Sequence, residues 1–294
     1  MRTPHEKIRA ITTTVLGSRF AVAEWEKYVQ IWDIEKGFIR TIETDIVSGM
    51  TNAISISADG KQLVIAGYDH KTVTLFDTDN GKIIWQRKDI KKPSTALILN
   101  HYFKLIYVDT ENQGSFFLDR DTGETLEKLR GIEFIRENDY SDINQFEKTS
   151  TSTLINRIDR KIIKSFNHKS FAILDACFSE DKIVCAYSGN PIEAISLSTF
   201  KSLWTINVVG HFLRVEYCKD LDKIIGVRWE YEKGGPKFIC YVNINTGNIE
   251  KEISLGQPIE TEFLKQGSLM LTSQGTLYSI VSGEIINQFN FEND

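Results

Sequence analysis

The chain has 294 residues, of which 41% are apolar, with 35 basic against 40 acidic side chains and a net charge of −5. That apolar share can fill a core, and only five Pro without any low-complexity tract argue against long linkers or disorder. The acidic balance weighs against broad binding to nucleic acid or to an anionic membrane. The opening MRTPHEKIRA has no apolar stretch fit for a signal peptide, and no run of about eighteen apolar residues occurs, so a cytoplasmic protein is expected.

Along the chain, the first strong signal is YVQIWDIEKGFIRTI (Tyr28–Ile42): an apolar run, an Asp, three residues, a Gly and a second apolar run. It returns as TVTLFDTDNGKIIWQ (Thr72–Gln86), GSFFLDRDTGETLEKL (Gly114–Leu129) and FICYVNINTGNIEKEI (Phe238–Ile253). Asp or Asn with Gly supplies turn dihedrals and the flanks have strand composition, so each copy reads as a tight β-hairpin. Fainter copies are TSTLINRIDRKIIKSF around Arg160, PIEAISLSTFKSLWTI around Phe200, and a last one at Gly283. The anchors Gly37, Gly81, Gly123, Arg160, Phe200, Gly247 and Gly283 lie 44, 42, 37, 40, 47 and 36 residues apart. Four places before them stand Asp33, Asp77, Asp119, Asn156, Ser196, Asn243 and Ser279, all able to hydrogen-bond their own local backbone.

Four-stranded units repeating near forty residues specify an all-β, seven-bladed β-propeller of antiparallel blades. The units use up 1–294 as one domain, with blades at about 8–43, 50–88, 95–130, 131–167, 171–207, 211–254 and 259–290. The second shows its strands best: Met50–Ser57, Gln62–Tyr68, Thr72–Asp77 and Lys82–Arg87. Its central pair is nearly all apolar, as strands covered on both faces should be, and the outer strand alternates with charges. The first unit is complete from Ile8–Thr14 to Phe38–Ile42, so the ring is expected to close without exchanging a strand. In the fourth, Gly131–Ser150 is acidic and alternates poorly, which predicts a distorted blade with a solvated loop at Glu137–Asp142.

SISADGKQLVIAGYDHKTVTLFDTDNGK (Ser55–Lys82) resembles a WD-repeat (WD40) unit over its whole length. It has the Asp59–Gly60–Lys61 turn, small Ala66–Gly67, the Asp69 turn, and an apolar strand ending in Phe76–Asp77 before Gly81. Trp32–Asp33 is the dipeptide that names that family, Gly210–His211 is its other signature, and Asn167–His168 is a degraded copy. Most blades lack the family's His–Asp–Trp set, which makes this a divergent case. The resemblance implies a rigid scaffold for protein partners, without catalysis or cofactor, although fold alone cannot establish a function. Trp85 and Trp204, each four residues past an anchor, are similar to the tryptophan-docking spacing of quinoprotein-like repeats, whose enzymes are larger, eight-bladed and exported. The simpler expectation is that both indoles pack an outer strand on the next blade.

Motifs for chemistry are sparse. Neither a GxxxxGK[ST] loop, a GxSxG elbow nor an HExxH helix occurs, and Gly60–Lys61 falls in a hairpin turn. Cys177, Cys185, Cys218 and Cys240 lack CxxC spacing and read as buried, reduced thiols. The histidines (His5, His70, His101, His168, His211) are scattered, and the last two fall where the resembling family uses His structurally. DTENQG (Asp109–Gly114) opens like a calcium loop but has Arg120 where the twelfth-position Glu belongs, so a plain turn is expected. No catalytic, metal or cofactor residue is therefore predicted.

Partner contacts are expected on turns between second and third strands, from Trp25, Tyr28, Tyr68, His70, Arg228, Trp229, Tyr231 and Lys233. The stretch Arg228–Gly235 is expected to protrude, reversed by Gly234–Gly235–Pro236. The competing readings are a small-molecule, metal-binding or lactonase-like enzyme at the channel mouth, and a sensor of peptide or nucleic-acid ends. Converging carboxylates or histidines at the channel mouth would favour the enzyme. An aromatic–basic rim would favour the scaffold.

Overall fold

The computed structural model describes residues 8–14, 17–24, 28–44, 53–67, 71–98, 104–111, 113–129, 132–134, 146–149, 153–156, 162–165, 173–179, 181–187, 191–230, 237–256, 260–264 and 267–291, with backbone alone between 129 and 174. They form seven four-stranded antiparallel sheets, each a simple meander, and no helix. The sheets span 8–43, 54–87, 93–129, 132–165, 173–207, 211–256 and 261–288. Each keeps its own four strands, so no strand is exchanged where the first sheet meets the last. The Glu137–Asp142 loop lies outside the described residues.

The repeated phrase does locally what its chemistry requires. Asp33, Asp77, Asp119 and Asn243 each accept, through Oδ1, the N–H groups of the residues two and three further on. Ser196 and Ser279 take one such N–H each through the hydroxyl. These bonds fix a tight turn whose last residue must adopt positive φ, and Gly37, Gly81, Gly123, Gly247 and Gly283 do so at 74–80°. Phe200 takes the same place at φ 54°, unusual for a bulky side chain.

Every sheet also carries a β-bulge at one position, where the third strand pairs with the fourth. The register slips between Ile31/Trp32, Leu75/Phe76, Phe117/Leu118, Leu154/Ile155, Ala194/Ile195, Tyr241/Val242 and Leu277/Tyr278. The extra residue twists the outer strand and interrupts its row of backbone groups, which blunts an otherwise open edge. The outward residue there is Ile84, Leu126, Leu203 or Ile286 in four blades, all exposed.

Central strands are buried on both faces and build the cores between neighbouring blades. Ala10, Ile31, Ile54, Leu63 and Phe76 join the first and second blades, and Val64, Leu75, Ile106 and Leu118 join the second and third. Val184, Ile192, Phe212 and Val242 join the fifth and sixth, and Ile225, Ile239, Met270 and Ile280 the sixth and seventh. The ring closes on aromatics. Phe20 and Trp32 of the first blade pack with Phe289 and Phe291, which follow the last strand, at centroid distances of 5.2–6.3 Å. Gln30 Nε2 donates to the Phe291 carbonyl at 3.1 Å, and Gln30 Oε1 accepts the Trp32 indole N–H at 3.0 Å.

Outer strands dock on the next blade's turn. Trp85 lies on Gly123 and donates Nε1–H to the Arg120 carbonyl at 2.8 Å; Trp204 lies on Gly247 and donates to the Ile244 carbonyl at 2.9 Å. Arg40 and Lys251 occupy the corresponding register positions and lie on Gly81 and Gly283. The expected packing of Trp85 and Trp204 is thus observed, at two seams.

The four cysteines form no disulfide and are buried. Burial pushes the Cys177, Cys218 and Cys240 thiols up, away from the reactive thiolate. Alkylation of native protein at pH 8 should therefore be slow, with thiols released only as urea unfolds the chain. Rapid labelling well below the unfolding midpoint would show that one of them is accessible.

Candidate partner-binding face

Of the eight residues expected on the partner face, Trp25, Tyr68, His70, Tyr231 and Lys233 lie outside the described residues. Tyr28, Arg228 and Trp229 are placed. Tyr28 opens the third strand of the first blade, Tyr28–Asp33, and is 42% exposed. Arg228 and Trp229 end the second strand of the sixth blade, Lys223–Trp229, from which the hairpin crosses to Lys237–Asn243. Adjacent strand residues point to opposite faces. Arg228 and Trp229 therefore cannot act as one rim pair.

Arg228, expected on the rim, is buried. Its Nη1 donates to the Val209 carbonyl at 2.6 Å and to Glu230 at 2.7 Å. Its Nε and Nη2 donate to Glu252 Oε1 at 3.2 and 2.8 Å, and the guanidinium lies 4.8 Å from the Phe238 ring centroid. Burial disfavours the cation, but the carboxylates Glu230 and Glu252 hold it firmly protonated. The same Glu252 oxygen accepts the Cys240 thiol at 3.1 Å. Arg228 ties the hairpin to the blade's outer strand and to the preceding connection, because those partners arrive from 24 and 19 residues away.

Trp229 sits on the other face, half-buried. It pairs across the sheet with His211 on one side and Lys237 on the other, and the Lys237 ammonium lies 6.0 Å from its ring centroid. Lys237, which sequence reasoning missed, is 4% exposed. Burial lowers its pKa and Arg214 adds to that, while Glu260 opposes. The signature Gly210 has a local reason at this site: at φ 88° a Cβ would come within 2.2 Å of the Trp229 carbonyl oxygen. Val209 beside it is 63% exposed. The result is an aromatic–cation edge on a hairpin base pinned from both faces.

Inner-strand carboxylates of the fifth to seventh blades are engaged internally. Asp175 accepts the Val215 N–H across a seam at 2.9 Å, Glu216 accepts the Tyr217 N–H, and Glu262 faces Arg214 at 3.5 Å. Among the described residues, no three His, Cys, Asp or Glu side chains are placed to hold a metal. In the Asp109–Gly114 turn, Asp109 accepts from the Ser115 hydroxyl and Glu111 pairs with Lys92.

Seven meandering four-stranded blades closed around first strands make this a β-propeller. The β-propeller domain of Cps50 (Swd1) from Myceliophteria thermophila is similar at 13% identity and TM-score 0.63, over 97% of this chain and 96% of that one. BamB from Moraxella catarrhalis is similar at 12% and 0.61, over 99% and 89%, and the computationally designed Ika8 protein at 12% and 0.61, over 96% and 86%. No protein-family model and no curated protein matches the sequence. The likeness establishes the fold.

Proposed function

We propose that the protein is a non-catalytic scaffold that presents one face of its ring to protein partners, in a reducing, cytoplasmic setting. The observation that carries this reading is the sixth-blade edge, where half-buried Trp229, lying over the buried Lys237, and exposed Val209 stand on a hairpin base pinned by Arg228. Large aromatics beside cations, on backbone that loses little freedom when bound, have the composition and stiffness of interface anchors. Two inner-strand carboxylates, Asp175 and Glu262, are engaged across seams, which supports binding over catalysis.

The test is affinity capture from the native source, with wild type compared with Trp229→Ala and Tyr28→Ala. Trp229→Ala should weaken capture of the specific partner by about 1–3 kcal/mol while the unfolding midpoint stays close to wild type. A lowered midpoint with capture unchanged would make Trp229 a packing residue and place the interface elsewhere.

A further inference from the structure

The turn glycines of the repeat make a matched series of contacts, and one of them departs from it. The outer strand of a blade lays a side chain on the turn glycine of the next: Arg40 on Gly81, Trp85 on Gly123, Trp204 on Gly247 and Lys251 on Gly283. At the seam between the last blade and the first, the residue in that register is Asn287. It pairs with Leu277 as Trp85 does with Leu75 and Trp204 with Ala194. Asn287 does not cross the seam. It is exposed, and its Oδ1 accepts the N–H of Gln288 in its own strand at 2.8 Å. Gly37, the turn glycine of the first blade, has φ 80° and no atom within 4 Å of the place a Cβ would take.

The carbonyl three residues before the glycine repeats the contrast. Those of Arg120 and Ile244 accept the indole N–H groups of Trp85 and Trp204 at 2.8 and 2.9 Å, and that of Ile280 accepts the Tyr241 hydroxyl at 2.8 Å. At the seam of Gly81, Arg40 donates instead to the adjoining Asp79 carbonyl. Among the described residues, none donates to the corresponding Ile34 carbonyl. The surroundings are apolar. Phe38, next to Gly37, is exposed and meets Trp32 edge-on at 5.4 Å, and Trp32 lies 5.8 Å from Phe289 of the closing cluster. Ile286, the bulge residue beside Asn287, is exposed as well. The aromatic closure of the ring thus reaches the surface here, beside a bare glycine and a carbonyl with an unused lone pair.

We propose that this site receives a tryptophan side chain of a protein partner, with its ring on Gly37 and its indole N–H on the Ile34 carbonyl. The chain itself identifies the occupant: the same glycine and carbonyl, three residues apart, take an indole at two other seams. The site also continues an aromatic interface that the ring already has. An indole covers apolar surface with its face while its one donor reaches the acceptor, which a phenyl ring cannot do. Glycine at positive φ leaves the turn flat enough for a ring to lie on it. The contact is separate from the sixth-blade edge and does not depend on it.

Backbone amide NMR spectra of the isotope-labelled full chain would be followed against N-acetyl-L-tryptophanamide. The Gly37 and Phe38 amides should shift and saturate with a Kd on the order of 1 mM, as befits one small ligand without the rest of a partner. The same probe methylated on the indole nitrogen keeps the ring and loses the donor. It should bind about fivefold more weakly, the worth of one neutral hydrogen bond. Gly37→Ala puts a methyl group where the ring lies, as one on Gly123 would come within 2.7 Å of the Trp85 ring, and should abolish the Phe38 shift. Asn287→Trp should fill the site from within and exclude the probe. No saturable shift at Gly37 and Phe38, equal binding of the methylated probe, or an unaltered response in either variant would overturn the site.

Discussion

Gly123→Ala and Gly247→Ala should each destabilise the protein by about 3–5 kcal/mol, close to removing the docked indole itself. A methyl group on Gly123 would come within 2.7 Å of the Trp85 ring, and one on Gly247 within 2.7 Å of the Trp204 ring. Neither partner is the loose end of a flexible side chain. Each indole also donates to a backbone carbonyl of the turn it covers, a bond that displacement would break. Positive φ adds about 1–2 kcal/mol for any residue with a Cβ. Gly37 separates the two contributions: it has φ 80° with no atom within 4 Å of the added carbon, so Gly37→Ala should lose only the backbone share. Urea midpoints for the three variants test this. Equal losses at all three positions would mean that indole docking contributes nothing to the seams.

Phe20→Ala should cost about 3–5 kcal/mol, and Phe291→Ala a comparable amount, because together they close the ring. Phe20 is fully buried, stacks on Trp32, and meets Phe289 and Phe291 edge-on. Paired aromatics contribute about 0.5–1.5 kcal/mol beyond their buried area, so the double variant should lose less than the sum of the singles. A Phe291→Ala protein with an unaltered midpoint would show that closure rests on the inner strands alone.

Local chemistry was legible in the sequence, and partners from distant strands were not. The Asp, Asn or Ser that starts each turn, the glycine that ends it, and the strands beside them all follow from residues within about ten positions. Trp85 and Trp204 could be assigned to seams because their spacing from the turn is fixed. The bulges were invisible, since a register slip belongs to two strands at once and leaves no mark in either. Arg228 was misjudged for the same reason: beside two aromatics it resembles a rim cation, and only the fold brings it Glu252 and the Val209 carbonyl. The starting Lys of KFICYVN was the one mark that could have pointed to Lys237.

The aromatic closure also sets a timetable for biosynthesis. Phe291 emerges 271 positions after Phe20. At about 5–20 residues per second, the first blade waits roughly 15–50 s on the ribosome with its closing face uncovered. Ile11, Phe20, Val22 and Trp32, all buried in the finished ring, are solvent-facing or shielded by a chaperone throughout that interval. A ribosome stalled before the last blade would therefore hold a chain that is well folded in its middle and adhesive at its leading edge.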